Sequence, residues 1–182
     1  MRMPAPLYYT ADMVLALPGD GNRYETVHGE LLVSPAPRLL HQLVLERLAH
    51  ALREYLELEP VGTLLRAPAD ITWSPDTLVQ PDAFIVPLDE ARTLDWAKVK
   101  TLLLAVEVLS PTTARADRFT KRRLYQERRI PTYWIVDCDE RTVERWTPDA
   151  LFPAVERNEL RWHPAGAATP CVIALAELFR PL

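Results

Sequence analysis

The chain has 182 residues, long enough for one domain that buries about two-thirds of its unfolded surface, and its formal net charge of −4 argues against a protein that coats nucleic acid nonspecifically. Its 2 cysteines, Cys138 and Cys171, lie far apart without paired spacing, which suggests neither a disulfide framework nor a zinc ribbon and suits a reducing, cytoplasmic setting. No apolar stretch approaches membrane-spanning length and no signal-peptide pattern opens the chain, so a soluble protein without a membrane partner is expected.

In chain order, Thr10 followed by Ala-Asp-Met-Val-Leu-Ala-Leu predicts a short capped helix, ended by Pro18-Gly19-Asp20-Gly21. Arg23 to His28 and Glu30 to Ser34 read as a hairpin around Gly29. From Leu39 to about Leu58 the apolar residues recur at three- and four-residue steps, the pattern of a long amphipathic helix that packs across a sheet. Thr63 to Arg66 and Ala69 to Trp73 are strand candidates, with a turn at Ser74-Pro75-Asp76-Thr77. Residues 79–86 read Val-Gln-Pro-Asp-Ala-Phe-Ile-Val, and Pro87 to Lys100 is charged and irregular, with one helical turn.

Thr101 to Leu109 is an apolar run of the kind buried on both faces of a sheet. Asp117 to Arg129 predicts a basic helix stopped by Pro131, and Tyr133 to Val136 and Thr142 to Trp146 are the next strands. The tail adds two short strands and a last turn near Ala174 to Phe179. Strands, then strand–helix–strand, indicate a single α/β domain over 1–182 built on a mixed sheet covered by helices.

Charge is unevenly spread. Arg115 to Arg129 carries a local balance of +5, so the rest of the chain stands at −9. An acidic body with one basic helix, Arg118 and Arg122 included, suits contact with phosphates, although a solvated helix face is the commoner meaning of such a run.

Glu107 lies inside the apolar run Leu102 to Leu109, where a lone carboxylate costs several kcal/mol unless it is paired or coordinated. Asp82, directly after Pro81, starts the preceding run. If the two strands are neighbours their carboxylates meet at one end of the sheet, and paired hard oxygens suit Mg²⁺ or Mn²⁺, which would orient a phosphate and lower the pKa of a bound water. Lys121 then becomes a candidate to hold that water. Taken singly, Asp82 also reads as a turn residue, Glu107 as half of a buried ion pair, and Lys121 as an i,i+4 partner of Asp117. His41, at the head of the long helix, reads as a cap, a packing residue or part of a pocket wall.

Pro81-Asp82 followed by Glu107 on an apolar strand resembles the signature of the PD-(D/E)XK nuclease superfamily. The chain more closely resembles the Uma-type family of putative restriction endonucleases. Tyr24-Glu25, Gly29-Glu30-Leu31 with Ser34-Pro35, His41, Ser74 to Asp82, Val106 to Pro111, the Asp117, Lys121 and Tyr125 helix, and Pro131 to Asp137 carry that likeness over roughly residues 8–147.

The resemblance implies a restriction endonuclease-like αβββαβ core over about residues 23–147, with extra N-terminal and C-terminal strands. It implies a Mg²⁺- or Mn²⁺-dependent endonuclease acting on DNA as a homodimer or higher homo-oligomer. Asp82, Glu107 and the carbonyl of Val108 would hold the metal, Glu30 would reach it through water, and His41, Asp117, Arg118, Arg122 and Tyr125 would line the pocket or touch substrate. Where the superfamily has lysine, two residues after the acid, stands Leu109; the Uma-type pattern takes its lysine from the following helix, at Lys121. An inert nuclease-like scaffold that binds nucleic acid or a protein, and an RNA or junction-specific nuclease, are the alternatives.

Overall fold

In the computed structural model, which describes residues 7–182, Thr10 caps helix α1 (Ala11–Leu15) by accepting the Met13 N–H at 3.2 Å. Strands β1 (Arg23–Val27) and β2 (Glu30–Ser34) form the expected hairpin. Its two-residue turn, His28-Gly29, has positive φ at both positions (50° and 82°), the twist that a tight hairpin requires. A side chain at Gly29 would run into the Tyr8 ring at 2.2 Å.

Helix α2 (Leu39–Leu58) follows, then β3 (Gly62–Arg66), β4 (Ile71–Ser74), β5 (Thr77–Val79) and β6 (Ala83–Pro87). After the turn α3 (Leu88–Ala91) come β7 (Leu104–Val108), a π-helical segment Ala116–Lys121 and helix α4 (Arg122–Glu127). The chain ends with β8 (Tyr133–Asp137), β9 (Thr142–Trp146), β10 (Ala154–Glu156), β11 (Glu159–Trp162), β12 (Cys171–Ala174) and α5 (Leu175–Leu178). No helix among the described residues is long and apolar enough to cross a membrane.

The central sheet has the order β10-β9-β8-β7-β6-β3, and its one parallel pair is β7 with β8, joined through α4. The elements α2, β3, β6, β7, α4 and β8 supply the αβββαβ order. Side chains alternate across it. Ala83, Ile85, Val106, Val108, Trp134 and Val136 face α2 and the β11–β12 hairpin. Phe84, Ala105, Tyr133 and Ile135 face the other way, against Leu124 and Tyr125 of α4 and against Val27, Ile71 and Val79 of the N-terminal strands.

The sequence predicts a mixed sheet covered by helices, whereas β2-β1-β5-β4 form a separate antiparallel sheet that covers much of this second face. The short β4–β5 hairpin turns at Pro75-Asp76 and pairs with β1, so those strands never join the central sheet. This layer places Arg23, Glu25 and Val27, alternate residues of β1, over the sheet face that carries Glu107.

Candidate active site

Asp82 and Glu107 come together through strand register. β6 and β7 are antiparallel with Ala83 opposite Val106, and one residue further the same register sets Asp82 against Glu107. The Val108 N–H donates to Asp82 Oδ2 at 2.8 Å, and His41 Nε2 from the first turn of α2 lies 3.1 Å from the same oxygen. On the other oxygen, Arg23 Nη1 donates to Asp82 Oδ1 at 2.7 Å. Burial pushes the Asp82 carboxyl up, but the His41 hydrogen bond, the Arg23 charge and the Val108 amide together outweigh it and hold the group well below the usual carboxylate range.

Glu107 is satisfied from the helix side. Lys121 Nζ donates to Glu107 Oε1 at 2.9 Å, and the Tyr125 hydroxyl donates to the same oxygen at 3.2 Å. Lys121 also stands 2.8 Å from Glu25 Oε2 and 3.6 Å from Asp117 Oδ1. Burial pushes Glu107 well above its ordinary value; Lys121 opposes that, while Asp82, Asp117 and Glu25 add to it. Burial lowers the Lys121 ammonium, yet Glu107, Glu25 and Asp117 reverse the sign and keep it charged. Asp117 is raised by burial, against the pull of Lys121.

Asp117, Lys121 and Tyr125 are spaced by four and so share one side of the helical stretch, the first part of which is π-helical. A π turn adds a residue to the ring of each backbone bond and reorients the side chains that follow it. Here the Asp117 carbonyl accepts from the Arg122 N–H and also from the Tyr133 hydroxyl at 3.1 Å. Tyr133, buried on β8, thereby ties the widened turn to the sheet.

A cleft of about 700 Å³ opens beside this cluster and is lined by Arg23, His41, Arg66, Gln80, Asp82 and Val108, among others. Glu25, Glu107 and Lys121 are not on its wall; they lie behind Arg23. Hard carboxylate oxygens on three converging elements have the donor chemistry for Mg²⁺ or Mn²⁺, and one buried oxygen, Asp117 Oδ1, has no hydrogen-bond donor among the described residues. The acids are nonetheless not arrayed as a ready cage among the described residues. Arg23 lies between them, 2.7 Å from Asp82 and 4.0 Å from Glu107.

The Uma2 family model, described as a putative restriction endonuclease, matches residues 11–168. The chain belongs to the Uma2 family. The match spans the N-terminal sheet and the whole central sheet, and runs on to the loop before β12. A crystal structure described as a putative nuclease belonging to DUF820, from Anabaena variabilis ATCC 29413, shares the fold with a TM-score of 0.76 at 19% identity, covering 94% of this chain and 97% of that chain. A search of the curated proteins found no match.

Within this family member the residues expected from sequence separate into three groups. Asp82, Glu107, Lys121 and His41 meet as described, with Asp117 and Tyr125 buried behind them as partners of Lys121 and Glu107 and not on the cleft wall. Glu30 is exposed at the start of β2 and is not brought to the cluster. The early acid in the cluster is Glu25, five residues before it, with its Oε1 accepting the Gln80 N–H at 2.7 Å. Arg118 and Arg122 also point elsewhere: Arg118 pairs with Asp137 and Glu144, and the Arg122 guanidinium lies over the Trp146 ring. The basic helix is thus largely spent on neighbouring acids and rings.

Sequence reasoning passed over Arg23 and did not single out Glu25 as a site residue. The signal was present in the hairpin itself, since alternate positions 23, 25 and 27 of one strand read Arg, Glu, Val, and two charged residues on an inward strand face need partners.

Proposed function

We propose that the chain is a Mg²⁺- or Mn²⁺-dependent endonuclease that hydrolyses DNA phosphodiester bonds. The observation that carries the reading is the convergence of Asp82 and Glu107, from paired strands, with Lys121 from the next helix, beside an open cleft. Family membership supports the nuclease class.

Asp82, Glu107 and the Val108 carbonyl would hold the metal, with Glu25 in the place expected of Glu30. When bound, the metal supplies a water of lowered pKa and neutralises charge on the phosphate. Lys121, fixed by Glu25, Glu107 and Asp117, presents an ammonium that orients the attacking water. His41 positions Asp82, and Tyr125 positions Glu107. A homodimer is part of the proposal, because cutting both strands of a duplex requires two such sites or two visits by one.

Plasmid incubated with the protein and Mn²⁺ is expected to be nicked, and Asp82→Asn to reduce nicking at least about 100-fold, the scale of losing a main electrostatic group. Nicking unchanged in that variant contradicts the reading.

A second reading, an inert nuclease-like scaffold, is favoured by one observation: a positively charged side chain already holds Asp82. Against it, Lys121 is buried and turned towards the acids. An RNA or junction substrate shares the same chemistry, and cleavage of structured RNA in preference to plasmid would select it.

A further inference from the structure

The Arg23 side chain is 22% exposed, sits at the cleft wall, and separates the cleft from Glu107, Glu25 and Lys121. It touches three carboxylates and satisfies only one of them well. Its single hydrogen bond to the cluster is to Asp82 at 2.7 Å; Glu107 at 4.0 Å and Glu25 at 3.8 Å lie beyond hydrogen-bond reach. Its buried Nε makes no hydrogen bond among the described residues. Arginine–carboxylate pairs are frequently closed by two parallel bonds from the rigid fork, and this one is not.

The surroundings point the same way. Four acids, Glu25, Asp82, Glu107 and Asp117, gather around Arg23 and Lys121, with His41 beside Asp82, so carboxylates outnumber the fixed cations among them.

We propose that Arg23 is a displaceable cation that occupies the position between Asp82 and Glu107, yields it to the divalent metal, and then turns into the cleft to hold a substrate phosphate. The inference rests on the metal-dependent reading above and deepens it. The residue lies at the first position of its strand, after the loop Gly19 to Asn22 that lines the same cleft, so its side chain can move without disturbing a paired strand interior. A planar, weakly hydrated guanidinium suits both places, as a bridge between carboxylates and as a fork for phosphate oxygens.

Calorimetric titration with Mn²⁺ alone tests the exchange without any turnover. Arg23→Gln is expected to bind Mn²⁺ about tenfold or more tightly than the parent chain, since the ion no longer competes with a resident charge, and Asp82→Asn to abolish the heat in both backgrounds. A short DNA duplex titrated in Ca²⁺ is expected to bind Arg23→Gln about fivefold or more weakly than the parent. Equal or weaker Mn²⁺ binding by Arg23→Gln overturns the exchange while leaving the metal reading intact, and equal duplex binding overturns the phosphate role. Absence of Mn²⁺ binding by every form overturns the metal reading and the inference together. Should the Gln variant fail to fold, Arg23→Lys, with a shorter point charge, is expected to bind Mn²⁺ about threefold or more tightly, and unchanged affinity overturns the exchange.

Discussion

Lys121 Nζ and Glu107 Oε1 are 2.9 Å apart, although one is carried by the turn that opens α4 and the other by the middle of the central sheet. The two are held together by burial. The Lys121 side chain is 2% exposed and its ammonium has three carboxylates within 4 Å, so no other cation serves Glu107 at hydrogen-bond distance. Leu109, two residues after Glu107 where a lysine would lie on the same strand face, packs instead in the core with Leu124 and Tyr125.

Replacing Lys121 by Met therefore strands three buried acids. Removing one partner of such a pair costs about 3–5 kcal/mol. Chemical denaturation of Lys121→Met is expected to show a loss of that size, together with loss of cleavage; a variant as stable as the parent would contradict the pairing.

Stability should depend on pH in opposite senses at Asp82 and Glu107. Glu107 is raised above its unfolded value by burial, so its contribution is fully present below the unfolded pKa and is lost as pH rises through the folded one. In chelated buffer, the melting temperature of Glu107→Gln relative to the parent is expected to rise as pH rises from the ordinary carboxylate range. Asp82 is lowered, so its contribution is present above the ordinary carboxylate range and is lost as pH falls. Asp82→Asn should accordingly melt lower at neutral pH and converge with the parent in acid. Each 1 kcal/mol corresponds to about 2–4 °C for a chain of this size, which a melting series resolves.

Glu25 and Glu30 provide an internal comparison. Glu25→Gln removes a buried carboxylate that touches Lys121, and is expected to lower the cleavage rate at least about tenfold. Glu30→Gln alters an exposed position and should leave both rate and stability unchanged. The reverse ranking would mean that the early acid has been assigned to the wrong strand position.

Arg118→Ala is expected to weaken DNA binding by less than about twofold, because this guanidinium is already held by Asp137 and Glu144. Its side chain is 36% exposed, so the stability lost should stay within about 1 kcal/mol. A steep loss of duplex affinity, with a reduced salt slope, would restore the basic helix as a phosphate contact.

Much of the central architecture was legible in sequence because burial dictates it. The 3.6-residue apolar stripe from Leu39 to Leu58 produces α2 over those same residues, and the acid inside an apolar run correctly signalled that Glu107 must have partners. Less was legible where the decisive fact is a long-range packing choice. Whether β1 joins the central sheet or lies across it is set by pairing with β5, which no local pattern announces, and that choice brings Arg23 and Glu25 to the site instead of Glu30. The π-helical turn was equally hidden, since Tyr133 stabilises it from a strand that follows in the chain. The charge of α4 was visible, but its neutralisation by Asp137, Glu144 and Trp146 was not.

The most direct test is anomalous diffraction from crystals grown with Mn²⁺. A single peak is expected between Asp82 and Glu107, within about 2.0–2.3 Å of an oxygen from each. Occupied Mn²⁺ elsewhere, or none at these two carboxylates at saturating concentration, would contradict it.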